Sequence, residues 1–347
     1  MHKKKLAGLC VLGCAALLLA LSDTMRAACT QAAERALQTV APGLFPFLLL
    51  SEFTAAAGLL QPRGRKAQWL AQRLFGVPAA ALPAVLFGLT AGYPVGVKTA
   101  AALCENGSIS PREAHSLVCF CQSPGLAFCI AAVGGGMYGS TGHGWLLFAS
   151  CTAAALFCAQ LRRGRGHAPA AIAPPPAVQA GSLSAAFVEG VRRAAAGILS
   201  ITAWIAAFAP ITVVCDRLPV QIGNALRLAA EVTEGCTLAG QKSQLPLGAA
   251  VLGFGGLCVA CQLLPELQKI GMRLPVFLGW RLLNGGLAWL FCRALCALLP
   301  EAVAAGAGTG AVRVFSVSPA ASVLLLLACV IFVLDLAHHK KMCYTVS

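Results

Sequence analysis

Charge is what this sequence has least of. Only 11% of its 347 residues are Asp, Glu, Lys or Arg, against about 25% in a soluble domain. With 58% hydrophobic residues and a mean hydropathy of +0.78, that scarcity excludes a water-soluble enzyme and a disordered chain. Acids are the rarer sign, 12 Asp and Glu against 26 Lys and Arg, giving a formal charge of +14. In a soluble chain such an excess suggests nucleic acid. Here the basic residues sit in short clusters between apolar runs, the pattern that orients a membrane protein, so the expected partner is a lipid bilayer and not nucleic acid. Aromatic residues are only 7%, while Gly numbers 36 and Pro 19, a composition suited to close packing of interrupted helices. Chemistry-bearing strings are missing as well: no Walker A, no HExxH, no Gly-x-Ser-x-Gly and no paired Cys/His metal set. No catalytic residue, metal ligand or cofactor is therefore assigned, and transport would draw on a gradient, another subunit or downhill diffusion. The class is an all-α polytopic membrane protein.

What is present is a series of apolar runs. Stretches free of Asp, Glu, Lys and Arg cover 6–22, 36–51, 74–97, 114–161, 194–215, 243–265 and 314–334, and a membrane helix needs about 20 apolar residues. The longest, 114–161, is expected to divide at Gly134-Gly135-Gly136 and around Gly139–Gly144. Residues 274–299 form a further span with Arg281 and Arg293 embedded, and 222–240 a weaker, more polar segment. The expectation is 8–10 membrane helical elements. The first follows Lys3-Lys4-Lys5 and is read as an uncleaved span rather than a signal peptide. Most of the 17 cysteines lie inside apolar runs, where Cys packs as a small hydrophobe. Cys258 and Cys261 have the spacing of a redox or metal pair, but no second pair accompanies them.

A basic, then proline-rich stretch, Arg162-Arg163-Gly164-Arg165 through Pro174-Pro175-Pro176, divides the chain. Laying Gly92 on Gly256 also lays Val95 on Val259, Gly107 on Gly271 and Pro111 on Pro275, with Lys98 meeting Gln262. Helix breakers recur downstream, Gln122-Ser123-Pro124-Gly125 in one half and Asn284-Gly285-Gly286 in the other. The reading is two pseudo-symmetric halves with broken or re-entrant helices, which in transporters enclose a midplane site. Residues 79–104, interrupted at Gly92-Tyr93-Pro94, suit either a hairpin to the midplane or one kinked crossing. If both broken elements are re-entrant, the clusters at Lys3–Lys5, Arg63–Arg73, Arg162–Arg193 and Lys340–Lys341 share the cytoplasmic side with both termini. Five crossings in each half would instead make inverted repeats.

Interrupted backbone at membrane depth frees polar groups that can meet a solute. Lys98 follows the first break, with Glu52 as its candidate partner. Asn224, Arg227, Glu231 and Glu234 are spaced to share one helical stripe, with Glu231 or Glu234 as a proton or cation site or the wet face of an interfacial helix. Gln122, Ser123 and Asn284 offer uncharged hydrogen bonds beside interruptions, for a solute or as interhelical glue.

Pro46-Phe47-Leu48-Leu49-Leu50-Ser51-Glu52, Gly88-Leu89-Thr90-Ala91-Gly92-Tyr93-Pro94-Val95-Gly96-Val97-Lys98, and Phe254-Gly255-Gly256-Leu257 ending in Gln262 resemble the YlbJ-type sporulation integral membrane proteins. These stand with the nucleoside-recognition, or Gate, domain proteins of the cell membrane. The resemblance spans about residues 42–295 and implies gate-like elements at about 42–136 and 222–299, within repeats 1–161 and 191–347 joined by a linker at 162–190. It implies a gradient-driven permease of a small polar solute, nucleoside-like or an ion, linked to spore formation. Candidate contacts are Glu52, Thr90, Gly92, Tyr93, Pro94, Gly96, Lys98, Gln122, Ser123, Glu231, Glu234, Gly255, Gly256, Gln262 and Asn284. Cys258 and Cys261 stand where the family pattern has small polar residues. A homo-oligomer or a partner membrane protein is compatible with this reading. The alternative of a different class is a non-transporting scaffold for spore-envelope assembly.

Overall fold

In the computed structural model, residues 19–59, 62, 64–163 and 182–300 are described, with a few isolated positions before residue 19. About half of the first expected span, the span at 314–334, the terminal lysine clusters and most of the Pro-rich linker lie outside them. Among the described residues the secondary structure is helical throughout. Five of the described helices are long and apolar enough to cross a membrane: Ser22–Ala56, Thr141–Arg163, Leu183–Cys215, Leu245–Gln262 and Leu274–Leu298. The chain is an all-α polytopic integral membrane protein.

The first is α1, Ser22–Ala56, with a π-helical turn at Ala36–Val40 and Pro46 inside it. Next comes α2, Arg65–Phe75, whose Arg65, Lys66 and Arg73 share a short helix with exposed Trp69, Leu70 and Leu74. That is the make-up of a helix lying at a membrane surface. A bend of 73° separates it from the helices that follow.

Those are α3, Leu82–Thr90, and α4, Val95–Glu105. They form a hairpin: a Cβ on Gly96 would lie 2.5 Å from the Cα of Gly88, whereas residues eight apart in one helix are separated by about 12 Å. Each arm is about 15 Å long, half the thickness of a hydrocarbon core. The break at Gly92-Tyr93-Pro94 is thus a hairpin tip. Helix α5, Pro111–Val118, starts at a capping box in which Ser110 and Glu113 exchange hydrogen bonds. The chain unwinds through 119–125, resumes in the π-helical segment Phe128–Met137, and turns at Gly139 into α6, Thr141–Arg163. The expected break at Gly134-Gly135-Gly136 is not there; these glycines are helical, and Gly134 lets the backbone of Gly144 approach to 2.5 Å of a would-be Cβ.

Helix α7, Leu183–Cys215, begins inside the stretch read as linker, with Ser182 capping it. It packs along α1, Gly190 against the backbone of Phe53. The weak polar segment is two helices, α8, Val220–Ala230, and α9, Val232–Gln241. Glu231 between them is extended, at φ −140° and ψ 131°. The expected single stripe is therefore broken: Arg227 pairs with Asp216, Glu234 pairs with Arg35, and Glu231 is buried. Helices α8 and α9 fold back on each other, Gly235 meeting Leu228, so this is a second hairpin.

The element around Gly256 was the expected second hairpin. Instead α10, Leu245–Phe254, and α11, Gly256–Gln262, continue as one interrupted apolar path. The register that laid Gly92 on Gly256 thus joins a hairpin tip to a broken crossing. After the short α12, Leu264–Lys269, the last described helix is α13, Leu274–Leu298. It runs unbroken through Asn284-Gly285-Gly286, correcting the expectation of an interruption. A Cβ on Gly285 would stand 2.8 Å from the carbonyl of Ala250, so that glycine serves close packing of α13 on α10. The described cysteines are free thiols and most are buried.

Candidate functional site

Four interruptions meet in one layer. The first hairpin tip lies on the unwound 119–125 segment. Gly92 has φ +90°, and a Cβ there would fall 2.3 Å from the nitrogen of Gly125. Backbone groups released by unwinding are satisfied across this contact: Tyr93 N–H donates to Ser123 O at 2.9 Å and Ser123 N–H to Gly88 O at 3.3 Å. The second tip lies on the α10–α11 break. Gly255 and Gly256 have φ +84° and +79°, and a Cβ on Gly256 would meet Val232 N at 3.1 Å and Ala230 O at 3.2 Å.

Arg281 joins the two contacts. Its side chain is 1% exposed and reaches from α13 to the carbonyls at the end of α10, with Nε–H donating to Phe254 O at 3.0 Å. The two terminal nitrogens donate to Gly253 O and Gln122 O. A helix end leaves carbonyls without partners, and the planar guanidinium fits three of them at once. Arg281 makes no ion pair among the described residues.

Beside this layer, against α1 and α7, lies a chamber of about 40 Å³ whose polar lining includes Tyr93, Glu231, Thr233 and Gln262. A second chamber of about 60 Å³ shares Val40, Ile205, Glu231 and Thr233 with it and adds Gln31, Arg35, Thr212 and Glu234. Glu231 is 4% exposed. It caps α9, one carboxylate oxygen accepting from Thr233 N–H and the other from Glu234 N–H, each at 2.9 Å. The hydroxyl of Tyr93 and the amide nitrogen of Gln262 have no hydrogen-bond partner among the described residues, although both residues are about nine-tenths buried. Replacing Glu231 with alanine is expected to lower stability by about 1–2 kcal/mol through loss of the cap, with glutamine intermediate, as read by thermal unfolding in detergent.

Of the residues singled out from sequence, the chambers bring together Tyr93, Glu231, Glu234 and Gln262. Gly92, Pro94, Gly255 and Gly256 shape the adjoining backbone turns, and Gly96 is the contact point of the first hairpin. Gln122 and Ser123 are fully buried in the unwound segment behind them; Asn284 is buried in α13, its amide against Cys158 Sγ at 3.8 Å. None of these three lines either of the two chambers described above. Thr90 donates to Leu86 O within its own helix. Glu52 lies 3.9 Å from Arg193; Lys98 exerts an attraction on it, but forms no ion pair with it. The sequence marks Arg281 as an embedded charge without naming its role, although an arginine inside an apolar span is itself a signal.

No protein-family profile matches the chain, and no solved structure matches it. Over 110 residues it is 31% identical to the sporulation integral membrane protein YlbJ of Bacillus subtilis (strain 168), a match covering 32% of this chain. The chain spans only 27% of the length of that curated relative. The geometry and this similarity together describe an integral membrane protein related to a sporulation membrane protein.

Proposed function

We propose that the chain is a gradient-driven permease of the gate-domain type, moving a small polar solute or ion in a membrane system linked to sporulation. One observation carries this reading: two hairpin tips and two broken helices converge beside a chamber lined by Glu231 and by buried polar groups of Tyr93 and Gln262. The convergence also supports an inverted repeat, in which the tip at Gly92 corresponds to the tip at Glu231 and the 119–125 segment to the break at Gly255. Pockets for drug-sized ligands measure about 300–1,000 Å³, so chambers of about 40 and 60 Å³ favour a small solute over a nucleoside. The orientation proposed places the basic ends of α2, α6 and α7 in the cytoplasm. In support, Gln160 of α6 donates to Leu74 O of α2, and Phe53 of α1 packs on Gly190 of α7, so these ends lie near one another.

Purified protein in liposomes, offered a panel of ions, nucleobases and nucleosides with and without a proton or sodium gradient, should take up at least one. Uptake should fall by about tenfold or more in Glu231→Gln. No flux of any solute in a folded preparation would sink the permease and leave the scaffold reading in its place.

A further inference from the structure

We infer that the chamber between Tyr93, Glu231 and Gln262 is a binding site for a small monovalent cation of about the size of sodium. This rests on the permease reading for its purpose, but the site can be tested without transport. Charge selects the class. Arg35 is committed to Glu234 and Arg281 to three carbonyls. Glu231 is the one charged side chain that lines this chamber, and it makes no ion pair among the described residues, so its ionised form is what would give the chamber a negative charge. Its carboxylate spends one acceptor site per oxygen on the α9 cap and keeps others. Tyr93 and Gln262 line the same chamber; the Tyr93 hydroxyl, without a partner among the described residues, would turn to it as a second oxygen, and the carboxamide of Gln262 can turn its own oxygen inward.

Size narrows the class further. About 40 Å³ holds roughly two or three water-sized spheres, enough for a bare cation with a water or two. One carboxylate with neutral oxygens is a poor match for a divalent ion, which draws on more charge. The titratable groups around Glu231 are Glu234 with its partner Arg35, Tyr93, Cys236 and Cys258. None of these adds a second anionic oxygen to the chamber of about 40 Å³.

The test is thermal unfolding of the full chain in detergent, with sodium chloride exchanged for choline chloride at constant ionic strength. Sodium should raise the melting temperature in proportion to the logarithm of its concentration, and choline should not. Tyr93→Phe, which removes one oxygen and no packing, should raise the half-saturating sodium concentration about fivefold. Glu231→Gln should abolish the response. Equal behaviour in sodium and choline overturns the inference, as does a sodium response untouched by both substitutions. A sodium response that Tyr93→Phe weakens, in protein that transports nothing, keeps the cation site and removes the permease. Flux without any sodium response does the reverse.

Discussion

Replacing Arg281 with methionine should destabilise the protein by at least about 3 kcal/mol. The guanidinium donates to three backbone carbonyls, Phe254 O, Gly253 O and Gln122 O, from two separate elements. Hydrogen bonds to a charged group contribute about 1.5–3 kcal/mol each, and a buried acceptor left unpaired costs its full desolvation. Methionine fills much of the volume and satisfies none of the carbonyls. Lysine keeps the charge but loses the planar fork, so Arg281→Lys should fall between wild type and methionine. Arg293, on the same helix, is exposed with its guanidinium 5.4 Å from the ring centre of Trp289, and Arg293→Gln should change stability by no more than about 0.5 kcal/mol. Thermal unfolding of the three variants in one detergent checks the order. A methionine variant as stable as Arg293→Gln would mean that Arg281 does not tie the breaks together.

Alanine at Gly96 should be worse still. Its Cβ would fall 2.1 Å from Cys121 O and 2.5 Å from the Cα of Gly88. Both are backbone atoms, so no side chain can swing aside. Overpacking where neighbours can shift already costs about 1–3 kcal/mol; here the first hairpin has to separate from the unwound segment. The expected result is loss of monodisperse protein on size-exclusion chromatography, and the same for Gly88→Ala, whose Cβ also meets Cys121 O at 2.1 Å. Gly286 is the contrast, with nothing within 4 Å of an added Cβ. In the interior of α13, Gly286→Ala should stabilise by about 0.5–1 kcal/mol through helix propensity. A well-folded Gly96→Ala protein would refute the packing of α3 on α4.

The class of the protein was plain from composition, because a polytopic chain cannot hide its apolar runs. Three of the four interruptions were legible too. Gly92-Tyr93-Pro94, Gln122–Gly125 and Gly255-Gly256 carry the residues that break helices, with left-handed φ at Gly92, Gly255 and Gly256. The fourth was not, because Glu231 has no Gly or Pro beside it and its neighbours keep a helical spacing. Only its side chain, turned back to cap α9, marks the break. Asn284-Gly285-Gly286 misled in the opposite direction, since glycine that admits a neighbouring backbone looks in sequence like glycine that ends a helix. Arg281 was visible as a charge, but its partners are carbonyls exposed by folding, and no sequence pattern names them. The chambers join residues from α1, both hairpins and α11, a juxtaposition that spacing along one helix does not encode.

The Arg35–Glu234 pair, finally, makes the two faces of the molecule unequal in the work needed to part them. Arg35 is 37% exposed and Glu234 25%, and they join α1 to α9 beside the chamber of about 60 Å³. A half-wet pair of this kind contributes about 0–1 kcal/mol and weakens as salt rises. Arg281 ties α10 to the 119–125 segment in the same layer through a dry, three-pronged grip. The yielding seam therefore runs along α1 and α9, and water admitted there meets Glu231 first.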